Sequence, residues 1–261
     1  MKRNHIAALF FLVSLLATSC SKVDSLLNNG KPVTELRSVS QRFGVIQMYN
    51  NVNVKLVHDW HPRLELTCPE NLIGNITTEV KGDTLVIMNE NRYNWLRSFD
   101  YSIDLTVYYD SLRAIEYGAT GTLLSTDTLK GCIVTDTLDD FGRSAFLLRI
   151  TEGCGDIDLT FNCDVLRDHF SFGTSLVTLR GIAGYSEHIL RSFGTVHAEN
   201  LNSNFVRVVS ESTNDTYVWV RDWGGLRAKL TSIGNLYYKG NPSPRFCSEE
   251  CTSEGRVIKL E

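Results

Sequence analysis

A short polar turn followed by an apolar-alternating segment recurs five times in the second half of the chain, at nearly constant spacing. The turns begin at Gly155, Ser175, Gly194, Asn214 and Gly234, which lie 20, 19, 20 and 20 residues apart. A degenerate sixth copy begins at Gly255, 21 residues later. A fixed period of this length is typical of solenoids, in which each repeat buries its apolar face only against its neighbours.

The repeats align into columns of matched side chains. Two apolar columns lie two and four residues after each turn start: Ile157, Val177, Val196, Thr216 and Leu236, then Leu159, Leu179, Ala198, Val218 and Tyr238. The column between them is polar and aromatic: Asp158, Thr178, His197, Tyr217 and Tyr237. Because strand side chains alternate between faces, we expect the apolar columns inside and the third column outside.

The first half also consists of strand-like segments. Six runs alternate apolar with polar residues, within 44–48, 52–57, 63–67, 76–80, 84–88 and 103–107, and Lys81-Gly82-Asp83 predicts a hairpin turn. No amphipathic helix is evident beyond the first 20 residues. The sequence therefore predicts an all-β protein, a parallel β-helix or β-solenoid with rungs of about 20 residues. We expect two β-rich parts, an N-terminal part over 37–120 and a repeat part over 121–261, with a loop or irregular coil within 123–147.

The N-terminus has the organisation of an export signal. Lys2 and Arg3 precede an apolar run from Ile6 to Leu16, and small residues follow up to Cys20. This run is too short to span a bilayer. Because it ends on a cysteine, it resembles a bacterial lipoprotein signal peptide over 1–19, which predicts lipidation of Cys20; the alternative is an ordinary signal peptide. Residues 20–36 would form a polar tether between the membrane and the domain.

Composition excludes some partners. The net charge of −4 provides no basic excess for binding phosphates, so nucleic acid is a poor candidate partner. Six cysteines follow Cys20, and Cys247 and Cys251 could form a local disulfide or hold a metal with Glu249 and Glu250. No second cysteine pair completes a metal site of recognisable spacing, so we predict neither a metal nor a cofactor.

Several polar residues are candidates for a metal or catalytic site. The pair His58 and His61 lacks a third partner and is more typical of solvated surface. His169 and His188 fall six residues before consecutive turns, which predicts a polar outer ladder beside Arg149. Asp156 and Asp158 could be the paired carboxylates of a glycan hydrolase. A turn role suffices for Asp156, however.

Aromatic residues are the better candidates for a binding surface. The set comprises Tyr217, Trp219, Tyr237 and Tyr238 on adjacent repeats, with Trp95 in a loop of the first half. Outward aromatic side chains serve as platforms for sugar rings or protein partners. Equally, they could be an edge that the other β part or a neighbouring subunit covers.

The tripeptide Asp-Ser/Thr-Leu occurs five times. Its hydroxyl residues are Ser25, Thr84, Ser111, Thr128 and Thr137. The pattern resembles an O-glycosylation sequon of exported proteins in one group of Gram-negative bacteria. The alternative is that Asp-Ser/Thr simply makes a good turn before a strand.

Several phrases resemble the head GIN domain family of auto-transporter adhesins. They are Ile150–Leu159, which matches its recurring Gly-Asp-Ile phrase, the closing segment Leu226–Pro242, the segments Glu70–Ile73 and Val80–Ile87, and Asn94–Ser98. The resemblance covers roughly residues 40–260 and implies a two-part β-helical protein with no catalytic residue to carry over. Ser175 and Asn214 depart from it, since the family has glycine there.

The sequence thus predicts a non-enzymatic, lipid-anchored protein of the cell envelope at the outer membrane, with an adhesin-like binding role toward a glycan or a protein. An envelope enzyme acting on polysaccharide on the same scaffold is the alternative. A structural component that self-associates is a third possibility.

Overall fold

The computed structural model describes residues 28–92, 100–130, 145–191 and 193–261. Strands account for 63% of these residues. Within these ranges the helices are single turns, α1 (Glu70–Ile73) and a 3-10 turn (Pro244–Phe246). The prediction of an all-β protein is confirmed, and no helix in the described ranges has the length and apolar character needed to cross a bilayer.

Across the described ranges, eighteen strands form one strongly curled sheet. Those of the first half are β1 (Pro32–Ser38), β2 (Val45–Asn50), β3 (Asn53–His58), β4 (Arg63–Pro69), β5 (Ile76–Lys81), β6 (Thr84–Asn89), β7 (Asp104–Tyr109), β8 (Ala114–Ala119) and β9 (Leu123–Ser125). Those of the second half are β10 (Leu129–Lys130), β11 (Ala145–Ile150), β12 (Ile157–Phe170), β13 (Leu176–Leu190), β14 (Thr195–Ser210), β15 (Thr216–Leu230), β16 (Leu236–Lys239), β17 (Ser248–Cys251) and β18 (Val257–Lys259). All six strand-like runs of the first half are strands, and Gly82 turns the predicted hairpin with a φ of 63°.

The long strands β12 to β15 each contribute to two walls of the sheet. The first half of β12 pairs with β9, whereas its second half pairs with β11. In the order of pairing, the first wall consists of β7, β3 and β9, then the first half of each of β12 to β15, then the whole of β16 and β18. The second wall consists of β6, β2, β8 and β11, then the second half of each of β12 to β15, then the whole of β17. Neighbours within each wall are parallel, and β1, β4 and β5 add antiparallel pairs at the N-terminal end.

The sheet continues across residues 120 and 121. Strand β8 pairs with β11 and β9 pairs with β12, so strands of the first half stack directly on those of the second. The division of the chain into two parts at this point stays a prediction.

The predicted columns are confirmed in the first wall. Ile157, Val177, Val196, Thr216 and Leu236 are successive partners, each exposed by 2% or less. The same inward column continues through Leu123, Val54 and Leu105 of the first half. Full burial of such a side chain stabilises the fold by about 1.5–3 kcal/mol, so the column supplies much of the core.

The turn glycines mark places where consecutive rungs approach closely. A Cβ on Gly155, Gly234 or Gly255 would clash with a backbone oxygen of the preceding turn, at Gly121, Asn214 and Gly234 respectively. Glycine recurs at the turns because this close stacking leaves no room for a side chain.

Two predictions about the chain are wrong in detail. Residues 32–36 do not belong to the tether but form β1, which pairs with β4 from Pro32↔Pro69 onward. His188 is not part of an outer ladder: its partner across the rungs is Asp168 rather than His169, and both His188 and Asp168 are fully buried.

Asp168 and His188 interrupt a column of the second wall that is otherwise apolar from β8 to β15. Their column neighbours are Leu148 and Val208. Asp168 Oδ1 lies 2.5 Å from His188 Nδ1, and His188 Nε2 lies 3.2 Å from Ser186 Oγ. Removing one partner of a buried pair leaves the other desolvated, whereas replacing both with apolar side chains is often neutral.

We therefore predict that Asp168→Val alone lowers the free energy of unfolding by about 3–5 kcal/mol, because it leaves His188 buried in the core without its ionic partner. The double variant Asp168→Val with His188→Leu should recover most of this loss. Urea denaturation followed by circular dichroism measures both. A double variant as unstable as the single one would contradict the stated role of the pair.

Candidate functional site

The predicted outward column contains a row of three stacked rings near the C-terminal end of the first wall. His197, Tyr217 and Tyr237 are successive partners on β14, β15 and β16, and they are named here the tyrosine row. The ring centroids are 4.7 Å apart for His197 and Tyr217, with planes 7° apart, and 5.1 Å for Tyr217 and Tyr237, with planes 12° apart. These distances match the spacing of neighbouring strands, about 4.8 Å.

The stacking decides which part of each ring a ligand can reach. Parallel rings at the strand spacing turn their faces toward one another along the stack, so both faces of Tyr217 are covered. The ring edges and hydroxyl groups of the row face solvent instead. Burial, together with the nearby Asp215 carboxylate and Tyr237, raises the pKa of Tyr217, so its hydroxyl stays protonated and able to donate. The row is thus suited to hydrogen bonding rather than to face-on stacking of a sugar.

Trp219 stands beside the row on the same side of β15. The ammonium of its partner Lys239 lies 4.4 Å from the centroid of its ring, which is a cation–π contact. Tyr238 does not join this surface: it alternates to the other side of β16 and packs against the core, and burial raises its pKa. Trp95 lies outside the described residues.

Trp223 is an exposed aromatic residue that the sequence analysis missed. It is 82% exposed and has a φ of 64°, a left-handed conformation that is rare for a bulky residue. The pairing of β14 with β15 jumps from Ser203↔Val220 to Phe205↔Gly225, so 221–224 form a bulge with Trp223 on it. Because no described ring packs on Trp223, its faces are open to a ligand. The dipeptide Gly224-Gly225 within a strand was the available signal of a bulge.

The bulge is held by the segment that follows β16. Trp223 N donates to Asn241 O at 2.8 Å, and Ser243 N donates to Gly224 O at 2.8 Å. Asp222 Oδ1 accepts hydrogen bonds from the backbone and the side chain of Asn241, at 2.9 and 3.0 Å. Strained backbone with this much support is typical of positions that serve a function.

The outer surface of the second wall is basic from β8 to β17. It carries five cationic side chains, Arg149, Arg167, Arg207, Arg227 and Lys229, against four carboxylates, Glu116, Glu187, Glu249 and Glu250. The excess of one positive charge contrasts with the net charge of −4 of the whole chain.

Glu187 organises the centre of this basic surface. Its carboxylate lies 2.5 Å from Arg207 Nη1, 3.3 Å from Arg167 Nε and 3.8 Å from His169 Nε2. The contacts with His169 and Arg207 lower the pKa of Glu187 to about 2, although burial acts in the opposite direction. Of the two, the Arg207 contact has the geometry of a strong hydrogen bond. Glu187 therefore stays ionised and keeps the two arginines aligned.

The remaining candidates do not converge on a catalytic or metal site. Asp158 is tied to Arg180 of the next rung by hydrogen bonds of 2.9 and 2.8 Å, which is a structural ion pair rather than a poised nucleophile. His61 is exposed near Asp59, and the described cysteines, Cys247 and Cys251 included, are free thiols. No three His, Cys, Asp or Glu side chains of the described residues are grouped to hold a metal ion.

Ser186, His188 and Asp168 have the order of a serine hydrolase triad, but their burial disqualifies them. The three residues are exposed by 1% or less, inside the second wall. A nucleophile must reach a substrate carbonyl, and Ser186 Oγ faces only the core.

The candidate glycosylation positions differ in exposure. Ser111 is exposed after β7, whereas Thr84 and Thr128 are half-buried at strand starts. The aspartate before Thr84 closes a turn, since Asp83 accepts from Gly44 N at 2.7 Å and binds Arg113. Ser25 and Thr137 lie outside the described residues, as does Cys20.

Comparison with known proteins identifies the family. The family model described as "Putative auto-transporter adhesin, head GIN domain" matches residues 42–242. The chain belongs to this family. The resemblance seen in the sequence is thereby confirmed, and membership associates this head GIN domain with adhesin-like proteins of the cell envelope or surface.

Solved structures share the fold at low sequence identity. A putative adhesin from Bacteroides fragilis has a TM-score of 0.71 and 19% identity, covering 90% of this chain and 100% of that one. A putative lipid binding protein from Parabacteroides distasonis has a TM-score of 0.63 and 16% identity, covering 90% and 99%. A putative adhesin from Parabacteroides merdae has a TM-score of 0.59 and 14% identity, covering 90% and 98%. No curated protein matches the chain.

The Glu187 cluster predicts a specific pH dependence of stability. Its pKa falls from 4.5 to about 2 on folding, so its contribution is complete above about pH 4.5 and disappears as the pH falls toward 2. Glu187→Gln should lower the free energy of unfolding by on the order of 2 kcal/mol at pH 7. The difference from wild type should shrink between pH 4.5 and 2.

Glu211→Gln is the matched control, because Glu211 pairs with Arg191 at 3.5 Å in an exposed position. Exposed ion pairs contribute about 0–1 kcal/mol, so this variant should stay close to wild type. A Glu187→Gln deficit that does not change with pH would contradict the assignment.

Proposed function

We propose that this head GIN domain protein is a non-enzymatic, lipid-anchored, adhesin-like binding protein of the cell envelope. It is tethered at the outer membrane through Cys20 and presents the C-terminal rungs of its β-solenoid as a binding surface. The observation that carries the proposal is the concentration of outward aromatic side chains on these rungs: Tyr217, Trp219, Trp223 and Tyr237.

The ligand we propose is a glycan or a protein strand that combines polar edges with an apolar face. The hydroxyl edges of Tyr217 and Tyr237 provide hydrogen bonds, and Trp223 provides an open ring face. Both features lie on β15 and its neighbour β16. The name of the Parabacteroides distasonis neighbour suggests a lipid as a further ligand class, which the same binding assay can include.

An enzyme acting on polysaccharide is the second candidate, since parallel β-solenoids can carry paired carboxylates. The ion pair of Asp158 with Arg180 argues against it, because a carboxylate held in two hydrogen bonds is not available as a base. Glycan turnover that is lost in Asp156→Asn or Asp158→Asn would favour the enzyme.

Lipidation predicts where the protein is found in cells. Two or three acyl chains anchor a protein stably, because each buried CH₂ contributes about 0.8 kcal/mol. The wild-type protein should fractionate with membranes, and Cys20→Ser should move it to the soluble fraction. Intact-mass measurement of the mature protein checks the lipid, and additional mass would reveal glycans on Thr84, Ser111 or Thr128. A wild-type protein without lipid mass would refute the anchor.

Ligand binding can be tested with a pair of exposed tryptophans. We predict that Trp223→Ala weakens binding to any glycan or peptide found by array screening by about tenfold or more, as for a central aromatic anchor. Trp60→Ala is the control, because Trp60 is 71% exposed in the loop after β3 and belongs to the opposite end of the stack. Equal losses in both variants, or none in Trp223→Ala, would contradict the proposed surface.

A further inference from the structure

Four outward positions of the second wall form a charged line along the stack. Arg167, Glu187, Arg207 and Arg227 are direct partners on β12, β13, β14 and β15. Neighbouring strands lie about 4.8 Å apart, so charged groups repeat at that interval along the stack. This set is named here the arginine line.

The far end of the arginine line is uncompensated. Glu187 is occupied by Arg167 and Arg207, at 3.3 and 2.5 Å. Arg227 is exposed and has no ionic or hydrogen-bond partner among the described residues. Its neighbour Arg207 lies directly opposite, and like charges at opposite strand positions destabilise a sheet. The juxtaposition of Arg207 and Arg227 therefore does not stabilise the fold. Such an arrangement is expected where a ligand supplies the compensating negative charge.

A shallow depression lies at the same place. It has a volume of about 240 Å³, with Val208 and Ala228 at its floor and Arg207, Arg227 and Lys229 among its lining residues. Lys229 is engaged by Glu250 at 2.8 Å and Arg207 by Glu187 at 2.5 Å, which leaves Arg227 as the unpaired cation among the described residues of this lining. The volume is below the 300–1,000 Å³ typical of sites for whole small molecules. The depression is therefore suited to one anionic group of a longer chain.

We propose that the arginine line binds a linear acidic polysaccharide, with sulfate or carboxylate groups placed along the stack and one of them between Arg207 and Arg227. Arginine presents a planar fork of donors that matches such oxyanions. This site lies on a different wall from the tyrosine row, so a test of one proposed surface does not decide the other.

The surroundings favour a narrow chain over a membrane surface. Glu116 and Glu250 lie beside the arginine line on the same outer surface, and a plane of anionic headgroups would press against them. A single extended chain can follow the arginine line and avoid Glu116 and Glu250. The exposed Glu249 and Glu250 border the depression on the β17 side, so they direct the chain away from that end and toward Arg167.

The surroundings also favour a glycan over nucleic acid. Proteins that bind single strands combine a basic groove with aromatic side chains for base stacking. On one side of the arginine line the outward positions are aliphatic or ionic, namely Arg149, His169, Ile189, Val209 and Lys229. On the other side, Phe205 packs edge to face on Phe246, with ring centroids 5.9 Å apart. These two rings contact each other and do not form a row along the line on which successive bases could stack.

The test measures binding of the full-length lipoprotein, held in a neutral detergent, to heparin, polygalacturonate and uncharged dextran of similar length. Wild type should bind both acidic polymers and not dextran. Binding should weaken as salt is raised from 0.1 to 1 M, because the screening length falls from about 10 to 3 Å. Arg227→Ala should weaken binding about five- to tenfold, as for loss of one charged hydrogen-bonding group, and Arg227→Lys should weaken it less.

Arg42→Ala is the matched control, since it removes the same charge from an 80% exposed side chain before β2. Its affinity should equal that of wild type. Thermal unfolding of Arg227→Ala should also match wild type, because Arg227 makes no bond that the fold would lose. Equal losses in Arg42→Ala and Arg227→Ala would overturn the proposal, as would absence of binding to both acidic polymers. Binding only to single-stranded DNA or to phosphatidylglycerol vesicles would overturn it as well.

Discussion

Register-locked pairing between parallel rungs is the constraint on which the rest of the structure depends. Each rung donates and accepts backbone hydrogen bonds to both neighbours, and the ladder continues through the turns, where Ser171 N donates to Ile150 O and Arg191 N to Phe170 O. A slip of one residue would move every side chain of a rung to the opposite face. The register therefore determines at once which residues form the core and which meet solvent.

The two walls use this register for different outer surfaces. In the first wall it stacks His197, Tyr217 and Tyr237 into a row whose ring faces cover one another. In the second wall it aligns Arg167, Glu187, Arg207 and Arg227 into a charged line. Neither surface is a deep pocket. Both are suited to extended partners, in agreement with the adhesin-like character of the head GIN domain family.

The repeat columns could be predicted from the sequence because strand alternation and a fixed period determine them together. The columns of Ile157 and Asp158 are in the predicted register from β12 to β16. The ring orientation in the tyrosine row could not be predicted, since it depends on the distance between strands rather than on side-chain order. Trp223 was missed because the bulge that exposes it breaks the repeat.

The position of His188 shows why a constant repeat period alone does not predict which face of the sheet a residue occupies. His169 and His188 are 19 residues apart, whereas the second wall keeps a spacing of 20, so Asp168 pairs with His188. The turn before β14 is one residue shorter, so Thr178 pairs with His197 at a spacing of 19 in the first wall. An extra residue of β14 after His197 restores the spacing of 20, since Arg180 pairs with Asn200. Counting from the turn therefore placed His188 one position away and on the wrong face. The segment 131–144, within the region expected to lack a clean rung, lies outside the described residues.

Disulfide trapping tests the register most directly. Thr178 and His197 are partners on β13 and β14, and cysteines at such positions lie within the 4.4–6.8 Å Cα separation that a disulfide needs. In a background with Cys154 and Cys251 replaced by serine, Thr178→Cys with His197→Cys should cross-link under mild oxidation, as mapped by peptide mass. Thr178→Cys with Glu199→Cys, displaced by two residues, should not. Efficient cross-linking of the displaced pair and none of the matched pair would contradict the register, and with it the assignment of both outer surfaces.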